Sequence, residues 1–332
     1  MLEHGGRLRK AARTYGMAVE DWLDLSTGIS PFAWPVGEIP AAAWQRLPED
    51  DDGLVEVARA YYGAPNVLPV AGSQAAIQAL PMLRQRSRVG VIAPGYNEHA
   101  HVWQRAGHQV TCLSASLLLE RADDFDVIIL IHPNNPGAER FEREALLTLH
   151  KQLSTRGGWL IVDEAFMDVT PDDSLCPLAA HDGLVVLRSV GKFFGLAGAR
   201  AGFVCASLPL LDALREYLGP WTLNGPTRQV LGLALADRDW HRQARTWLRH
   251  SSARLADVLM KNGILPTASC AFFHRWCDER APVLHRELAM RGILARLFDE
   301  PPSLRFGLPA DEAGLHRLDE ALATILWIGK TP

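Results

Sequence analysis

The segment between Arg188 and Arg200 contains the residue types needed for covalent chemistry at an amine. Its sequence is Arg-Ser-Val-Gly-Lys-Phe-Phe-Gly-Leu-Ala-Gly-Ala-Arg, so Lys192 lies between a glycine and two aromatic residues. Partial burial lowers the pKa of a lysine and makes its amine nucleophilic. Ser189 and Arg200 add a hydroxyl and a guanidinium, two phosphate-binding groups, on either side. Because surface lysines also occur beside glycines, the assignment of Lys192 depends on motifs elsewhere in the chain.

A short segment that contains a glycine precedes a predicted helix and could bind an anion. Gly72, Ser73 and Gln74 come just after an apolar run that ends at Val70. Small residues allow the backbone to approach a phosphate, and the first amides of a helix attract it. The same composition also occurs in an ordinary turn with an N-cap. The segment therefore predicts a phosphate site only in combination with the lysine segment.

Three other apolar runs each end in a group that could serve a ligand. Tyr96 follows a Pro-Gly pair at the predicted sheet edge. Asn135 lies in the turn His-Pro-Asn-Asn-Pro-Gly, where two prolines fix the backbone and present an asparagine amide rigidly. Asp163 ends a buried run, and a carboxylate there needs a cationic or hydrogen-bonding partner. Core packing is the alternative for Tyr96, and helix capping is the alternative for Asp163.

Apolar runs that alternate with helical stretches predict the elements that position these groups. Strands buried on both faces of a parallel sheet have continuous apolar sequences. The runs cover residues 68–70, 89–93, 109–113, 127–131, 159–162, 184–187 and 202–205. They predict an α/β fold with a mostly parallel, seven-stranded sheet. Ligands bind beyond the carboxyl ends of the strands in such sheets, which is where the groups above occur.

The sequence changes character after about residue 235, which predicts a second, smaller α+β domain. Apolar residues recur with helical spacing from Trp240 to Leu259, and Asn262-Gly263 ends that helix. The pattern then predicts strands at 271–276, 293–297 and 303–307, a helix at 282–290 and a closing amphipathic helix. The predicted domains are an N-terminal arm with a small-domain segment (1–44), a large cofactor-binding domain (45–235) and a C-terminal small domain (236–332).

The composition limits the partners and the compartment that we expect. The 332 residues carry a formal net charge of −4, which gives no electrostatic reason to expect binding to nucleic acid or an anionic membrane. The five cysteines show no paired or metal-binding spacing, so we expect reduced core cysteines, no metal site and a cytoplasmic location. The sequence shows neither the pattern of a signal peptide nor that of a membrane span.

The order of these motifs resembles the class I/II aminotransferases over about the whole chain. These are fold-type I enzymes that depend on pyridoxal 5'-phosphate. The resemblance implies that Lys192 holds this cofactor as a Schiff base, that Asp163 pairs with its pyridine nitrogen and that Tyr96 stacks on its ring. It also implies that Asn135 hydrogen-bonds the ring hydroxyl oxygen. The further cofactor contacts that it implies are Gly72, Ser73, Gln74, Phe166, Ser189 and Arg200.

Within that family the chain most resembles the L-threonine-O-3-phosphate decarboxylases of cobalamin biosynthesis. The shared motifs are His4-Gly5-Gly6 and residues 23–26, 163–166, 186–189, 293–296 and 304–306. The resemblance implies decarboxylation of L-threonine O-3-phosphate to (R)-1-amino-2-propanol O-2-phosphate by a homodimer. It places His4 and Arg296 at the substrate phosphate and Arg305 at the carboxylate. The implied substrate site is completed by Gly5, Gly28 and Asn135.

Three places depart from the pattern of these decarboxylases, and one of them is the turn Asn134-Asn135-Pro136-Gly137-Ala138, where the pattern has Asn-Asn-Pro-Thr-Gly. Gly28 occupies the place of an asparagine that touches substrate, and Leu47 occupies the place of a tyrosine that reaches the cofactor of the neighbouring subunit. A hydrogen bond to a charged group contributes roughly 1.5–3 kcal/mol. We therefore expect the loss of the tyrosine to loosen the cofactor without abolishing its binding.

Two other functions are compatible with the sequence. One is a pyridoxal-phosphate aminotransferase that acts on a phosphorylated amino acid such as histidinol phosphate, and the other is a non-catalytic cofactor-binding subunit of a corrinoid pathway. The residues themselves favour a substrate with two anionic ends, because Arg296 and Arg305 lie on adjacent predicted strands. Guanidinium groups bind carboxylate and phosphate bidentately. Two surface arginines are the alternative explanation of this pair.

Overall fold

The computed structural model describes residues 5–328 and contains two compact units. The larger unit consists of Ala33–Arg242. The smaller unit combines the chain before Ala33 with the chain from Gln243 onward. The smaller unit is therefore assembled from both ends of the sequence.

The strands within these residues are β1 (Leu23–Asp24), β2 (Leu68–Val70), β3 (Arg88–Ile92), β4 (Gln109–Leu113), β5 (Val127–Ile131), β6 (Trp159–Asp163), β7 (Leu184–Ser189), β8 (Gly202–Cys205), β9 (Ala268–Cys270), β10 (Phe273–Cys277), β11 (Ile293–Leu294), β12 (Arg296–Phe298) and β13 (Ser303–Gly307). The α-helices are α1 (Leu8–Tyr15), α2 (Ala41–Gln45), α3 (Leu54–Tyr62), α4 (Ser73–Ala79), α5 (Glu98–Arg105), α6 (Ala115–Glu120), α7 (Arg143–Ser154), α8 (Leu208–Leu218), α9 (Gly225–Ala236), α10 (Arg238–Lys261), α11 (Ala281–Ala289) and α12 (Glu312–Ile328).

The sheet of the larger unit has seven strands in the order β2-β8-β7-β6-β5-β3-β4. Neighbouring strands are parallel except for β8, which runs antiparallel to both β2 and β7. Every residue of β5 is buried, as is every residue of β6 after Trp159. Burial on both faces explains the continuous apolar sequences of these strands. The predicted α/β fold with a mostly parallel sheet is confirmed.

The register of this sheet places several predicted site residues at one edge. Asp163, the last residue of β6, is the cross-strand neighbour of Leu187 on β7. On the other side of β7, Ser189 pairs with Gly202, and Gly202 pairs with Val70 at the end of β2. The carboxyl ends of β2, β6 and β7 therefore lie along the same edge, and the loops that follow them carry the chemical groups.

A buried ion cluster joins two of these strands at that edge. Arg188, 2% exposed, donates to Glu164 Oε2 at 2.7 Å and to Asp168 Oδ1 at 2.8 Å. The Ser174 hydroxyl and the Leu175 amide also donate to the Glu164 carboxylate. Removing one partner of such a pair leaves an uncompensated buried charge. Since Glu164 follows β6 and Arg188 lies in β7, the pair holds the carboxyl ends of both strands together.

The smaller unit contains a four-stranded antiparallel sheet with the order β12-β13-β10-β9, and β1 pairs with β11 in parallel. The strand predicted at 271–276 is present as β10, but it begins at Phe273 because Ala271 and Phe272 form the turn that joins it to β9. The prediction of one strand at 293–297 is wrong. β11 pairs with β1, whereas β12 pairs with β13, and this change of partner at Ala295 divides the run.

The expectation that all cysteines are core residues needs a correction. Cys176 and Cys205 are buried, but Cys112 is exposed, and Cys270 and Cys277 are partly exposed. Cys112 lies on β4, the edge strand of the seven-stranded sheet, where one side has no neighbouring strand to cover it. None of the five cysteines, all of which lie within residues 5–328, forms a disulfide bond. Between residues 5 and 328, none of the helices combines the length and the apolar character needed to cross a membrane.

Candidate active site

A cradle forms in the larger unit where β2 is followed by helix α4. Gly72 has a φ of +75° and precedes Ser73, the first residue of α4. A Cβ atom at Gly72 would lie 3.1 Å from Nη2 of Arg200, and one at Gly202 would lie 2.5 Å from the Ser73 nitrogen. Glycine at both positions allows the Arg200 guanidinium and the start of the helix to approach this closely. The first amides of α4 have no acceptor within the helix, so the cradle combines amide donors, a guanidinium and the neighbouring Ser189 hydroxyl.

A chain of hydrogen bonds fixes the ring of Tyr96 beside this helix. The Tyr96 hydroxyl donates to Gln74 Oε1 at 3.1 Å, and Gln74 Nε2 donates to Glu98 Oε2 at 3.2 Å. Burial raises the pKa of Tyr96 to about 12, and the charges of Glu98 and Asp163 act in the same direction. The phenol therefore stays protonated at neutral pH and keeps donating to Gln74. The structure thus brings together Gln74 and Tyr96, two of the predicted cofactor contacts.

Asp163 has a partner that sequence reasoning did not identify. Its side chain is buried, its Oδ2 lies 2.9 Å from Nε2 of His99, and its Oδ1 accepts a hydrogen bond from the Ala165 amide at 3.1 Å. His99 is 1% exposed and lies in the first turn of α5. The sequence already required a hydrogen-bonding partner for a buried carboxylate. His99 follows β3, which is separated from β6 by β5, so the sequence contained no signal that singled it out as this partner.

We expect His99→Phe to lower turnover by about tenfold to a hundredfold, since a hydrogen bond to a charged group contributes roughly 1.5–3 kcal/mol. The phenyl ring retains the buried shape, but it donates nothing to Asp163, whose carboxylate is then free to rotate. The turnover number at saturating substrate and the affinity for the cofactor measure the effect. His101→Phe, on the exposed face of the same helix, is the matched control. Equal values in the His99 variant and the unaltered protein would exclude a positioning role.

The turn after β5 is fixed chiefly by Asn134. This residue is fully buried, and its Nδ2 donates to the Pro94 carbonyl at 2.8 Å and to Glu139 Oε2 at 2.6 Å. Its Oδ1 accepts a hydrogen bond from the Asn135 amide at 2.8 Å. The first asparagine therefore holds the turn, and the second, which is partly exposed, is placed beyond the carboxyl end of β5. The contact of Asn135 with the cofactor stays a prediction.

Lys192 is partly buried in a loop backed by aromatic residues. Its Nζ lies 5.4 Å from the centroid of the Phe166 ring. Phe194 stacks on Trp240 with centroids 5.4 Å apart and ring planes at 13°, and its carbonyl accepts a hydrogen bond from the Trp34 amide. These contacts fix the backbone on the C-terminal side of Lys192. The environment is the partly desolvated, aromatic one that the sequence predicted for a nucleophilic amine.

The residues present fit pyridoxal 5'-phosphate. The cradle of Gly72, Ser73 and Arg200 supplies donors for a phosphate. The buried carboxylate of Asp163 suits a protonated ring nitrogen, and Lys192 supplies an amine for the aldehyde. These groups come from separate loops at one sheet edge of the larger unit. Their individual contacts with the cofactor stay a prediction.

In the smaller unit, predicted substrate residues lie around the carbonyl oxygen of Ser26. Arg305 donates to this oxygen from Nη2 at 2.7 Å, and a Cβ atom at Gly5 would lie 2.2 Å from it. Arg296 on β12 is the direct cross-strand neighbour of Arg305 on β13. Burial lowers the pKa of Arg305 to about 10, and the charge of Arg296 acts in the same direction. The structure therefore brings together Gly5, Arg296 and Arg305.

The remaining predicted substrate residues are His4 and Gly28. Gly28 is buried and follows residues 25–27, which lie against β13: the Gly307 amide donates to the Leu25 carbonyl at 2.7 Å. His4 lies outside the described residues. The segment that carries Gly28 is thus close to the strand that carries Arg305.

Comparisons with known proteins agree with the fold and with these motifs. The family model described as aminotransferase class I and II matches residues 54–322. The chain is 55% identical over 322 residues to a Pseudomonas aeruginosa protein named threonine-phosphate decarboxylase, and the match covers 97% of each. A Sinorhizobium protein of the same name is 39% identical over 329 residues, covering 97% of this chain and 98% of the relative. Among solved structures, histidinol-phosphate aminotransferase from Sinorhizobium meliloti in complex with pyridoxal-5'-phosphate matches with a TM-score of 0.84. The match covers 98% of this chain and 96% of that one at 18% sequence identity, so it establishes the fold alone.

Proposed function

The chain belongs to the aminotransferase class I and II family, and from this premise we propose that it is a decarboxylase of L-threonine O-3-phosphate. The products are carbon dioxide and (R)-1-amino-2-propanol O-2-phosphate, an intermediate of cobalamin biosynthesis. The cofactor is pyridoxal 5'-phosphate, so the family and the cofactor predicted from the motifs are confirmed. The main support for the proposal is the 55% identity, over 97% of both chains, to a relative named threonine-phosphate decarboxylase.

Bound pyridoxal phosphate supplies an electron sink for the carbon that loses the carboxylate. In the proposed reaction Lys192 would hold the cofactor through its amine. Asp163, held by His99, keeps a proton at the ring nitrogen. After carbon dioxide leaves, the amine of Lys192 delivers a proton to Cα of the product.

Orientation of the substrate decides whether the carboxylate or the Cα proton is lost. The groups proposed to set this orientation are Arg305, for the carboxylate, and Arg296, for the phosphate. Both arginines belong to the smaller unit and project from the same row of its antiparallel sheet. A substrate that carries both anions is therefore favoured over a simple amino acid.

A direct assay tests the proposal. The purified protein, saturated with cofactor, is incubated with O-phospho-L-threonine, and we expect carbon dioxide and aminopropanol phosphate in equal amounts. Formation of a keto acid together with pyridoxamine phosphate would indicate an aminotransferase instead. Cofactor binding without turnover of any phosphorylated amino acid would support the non-catalytic subunit.

Substitution of the two arginines is expected to separate their roles. Arg296→Ala should weaken kcat/KM for phosphorylated substrates by roughly 2–4 kcal/mol and leave unphosphorylated amino acids nearly unaffected. Arg305→Ala should impair both kinds, because every amino acid carries a carboxylate. The measurement is kcat/KM for threonine phosphate and for threonine in each variant, with the exposed Arg280→Ala as the control. An unchanged preference for threonine phosphate in Arg296→Ala would show that the phosphate assignment is wrong.

We also propose that the enzyme is a cytoplasmic homodimer. Val36, Trp44 and Leu47 lie within one short segment of the larger unit and are 50%, 69% and 64% exposed, and large exposed apolar side chains of this kind commonly mark a subunit interface. Sedimentation equilibrium of the cofactor-loaded protein should give twice the chain mass of 36.6 kDa. A catalytically competent monomer would refute the dimer. The five cysteines form no disulfide bond within the described residues, which favours a reducing compartment, and recovery of the activity outside the cytoplasmic fraction would contradict the cytoplasmic location.

A further inference from the structure

Three arginines form one row across the antiparallel sheet of the smaller unit. Arg275 on β10 is the direct cross-strand partner of Arg305 on β13, and Arg305 is the direct partner of Arg296 on β12. Directly opposed residues project from the same face of a sheet, so the three side chains are neighbours. Like charges in this arrangement are destabilising, which makes the row costly to the fold by itself. Sequence reasoning identified Arg296 and Arg305 as substrate residues but not Arg275.

Arg275 is a buried member of the row with a hydrogen-bond donor that the fold does not use. It is 5% exposed, and its Nε donates to Ser303 Oγ at 3.0 Å. Its Nη2 is buried and has no hydrogen-bond partner among the residues that the structure describes. Within the same residues it forms no ion pair with a carboxylate. A buried guanidinium with an unused donor is unfavourable, and a ligand that supplies an oxyanion would remove that cost.

A single aromatic ring brings the three guanidinium groups close to one another. The centroid of the Phe298 ring lies 5.8 Å from Cζ of Arg275, 5.2 Å from Cζ of Arg296 and 5.8 Å from Cζ of Arg305. The positive charges therefore surround one small region of the smaller unit. Such a region attracts anions, and its preference rises with the charge of the anion.

We infer that Arg275 is a third anion-binding residue of this enzyme and supplies the charge that completes recognition of a doubly charged phosphate group. The inference rests on the proposed function, in which the substrate carries a carboxylate and a phosphate monoester. That substrate has one negative charge on the carboxylate and about two on the phosphate at neutral pH. Arg305 and Arg296 balance two of these charges, and Arg275 balances the third. Its unused Nη2 donor binds an oxygen of the phosphate.

Arg275→Met tests this inference, because methionine fills a similar volume without charge or donors. The cofactor-loaded variant is titrated calorimetrically with inorganic phosphate and, separately, with acetate at constant ionic strength. We expect phosphate to bind at least tenfold more weakly and acetate to bind within twofold of its original affinity. We also expect the melting temperature without phosphate to be unchanged or higher, because a buried unpaired charge has been removed. Arg286→Met, at an exposed position on α11 of the same unit, is the matched control and should change neither the affinity for phosphate nor the melting temperature.

Unchanged phosphate affinity in Arg275→Met would overturn the inference, and a lowered melting temperature with unchanged affinity would assign Arg275 a structural role instead. If the methionine variant does not fold, Arg275→Lys is measured in its place. Lysine retains the charge with fewer hydrogen-bond donors, and we expect the affinity for phosphate to fall three- to tenfold. No change in the lysine variant would overturn the inference as well.

The same variants keep this inference separate from the proposed function. If the unaltered enzyme does not decarboxylate threonine phosphate but Arg275→Met still loses phosphate affinity, the substrate proposal fails and the anion site stands. If the unaltered enzyme does decarboxylate threonine phosphate, and Arg275→Met does so with the same KM, the role of Arg275 fails and the proposed function stands.

Discussion

Lys192→Ala is expected to abolish turnover, with a loss of at least about 10⁴-fold, because in the proposed mechanism this one residue both attaches the cofactor covalently and moves the proton at Cα. Reduction of the cofactor-saturated protein with borohydride should label Lys192 in the unaltered enzyme. Peptide mass spectrometry of the reduced protein identifies the labelled residue. The variant should still bind pyridoxal phosphate reversibly, since the cradle at Gly72 and Arg200 is intact.

Two further substitutions separate the charge of this lysine from its reactivity. Lys192→Arg retains a positive charge, but a guanidinium does not form the covalent link at neutral pH, so this variant should also be inactive. Lys151→Ala, at an exposed position on α7, should leave turnover unchanged. Label on another lysine, or none in the cofactor-saturated protein, would show that the central assignment is wrong.

Asp163→Asn is expected to lower turnover by about 10³-fold. A carboxylate about 3 Å from a protonated ring nitrogen interacts with it by on the order of 5 kcal/mol at an effective dielectric constant of 20. Asparagine retains an oxygen that can accept the Ala165 amide, so the loop after β6 should keep its conformation. The loss is therefore attributable to charge and not to unfolding.

The turnover number with threonine phosphate measures the loss of activity in Asp163→Asn. The melting temperature of the cofactor-loaded protein shows whether the fold is retained. Asp126→Asn, which removes a carboxylate paired with Arg88 at a partly exposed position of the same unit, is the matched control and should retain full turnover. Since His99 acts on turnover through Asp163, the double variant with His99→Phe should lose little more than Asp163→Asn alone. Full additivity of the two effects would mean that His99 acts independently of Asp163.

The sequence by itself determined the architecture of the larger unit and the chemical groups at its edge. A strand such as β5 is buried on both faces, so its five apolar residues identify it without knowledge of any partner. Parallel strands end at the same edge of a sheet, and for that reason Asn135, Asp163 and Lys192 could be predicted to converge from their places after successive runs. The glycine segment before α4 was predictable on the same basis, because a glycine before a helix is a local signal, and its contact with a phosphate stays a prediction.

The partners of the charged groups were decided only by the tertiary structure. His99 and Asp163 are 64 positions apart, and nothing in the sequence near Asp163 indicates which donor reaches it. The same applies to Arg188, which pairs with Glu164 and Asp168 inside the protein. Pairing of buried charges depends on which side chains two packed elements bring together, and that is a property of the whole fold.

The smaller unit shows the clearest limit of the sequence. A run of apolar residues predicts that a strand exists, but the register and the neighbouring strand are set by hydrogen bonds to distant segments, and a slip of one residue turns every side chain to the opposite face. The break at Ala295 arises in this way, because β11 and β12 pair with different strands. The alignment of Arg275 with Arg305 and Arg296 has the same origin: each arginine was visible in the sequence, but only the register of three antiparallel strands placed them in one row.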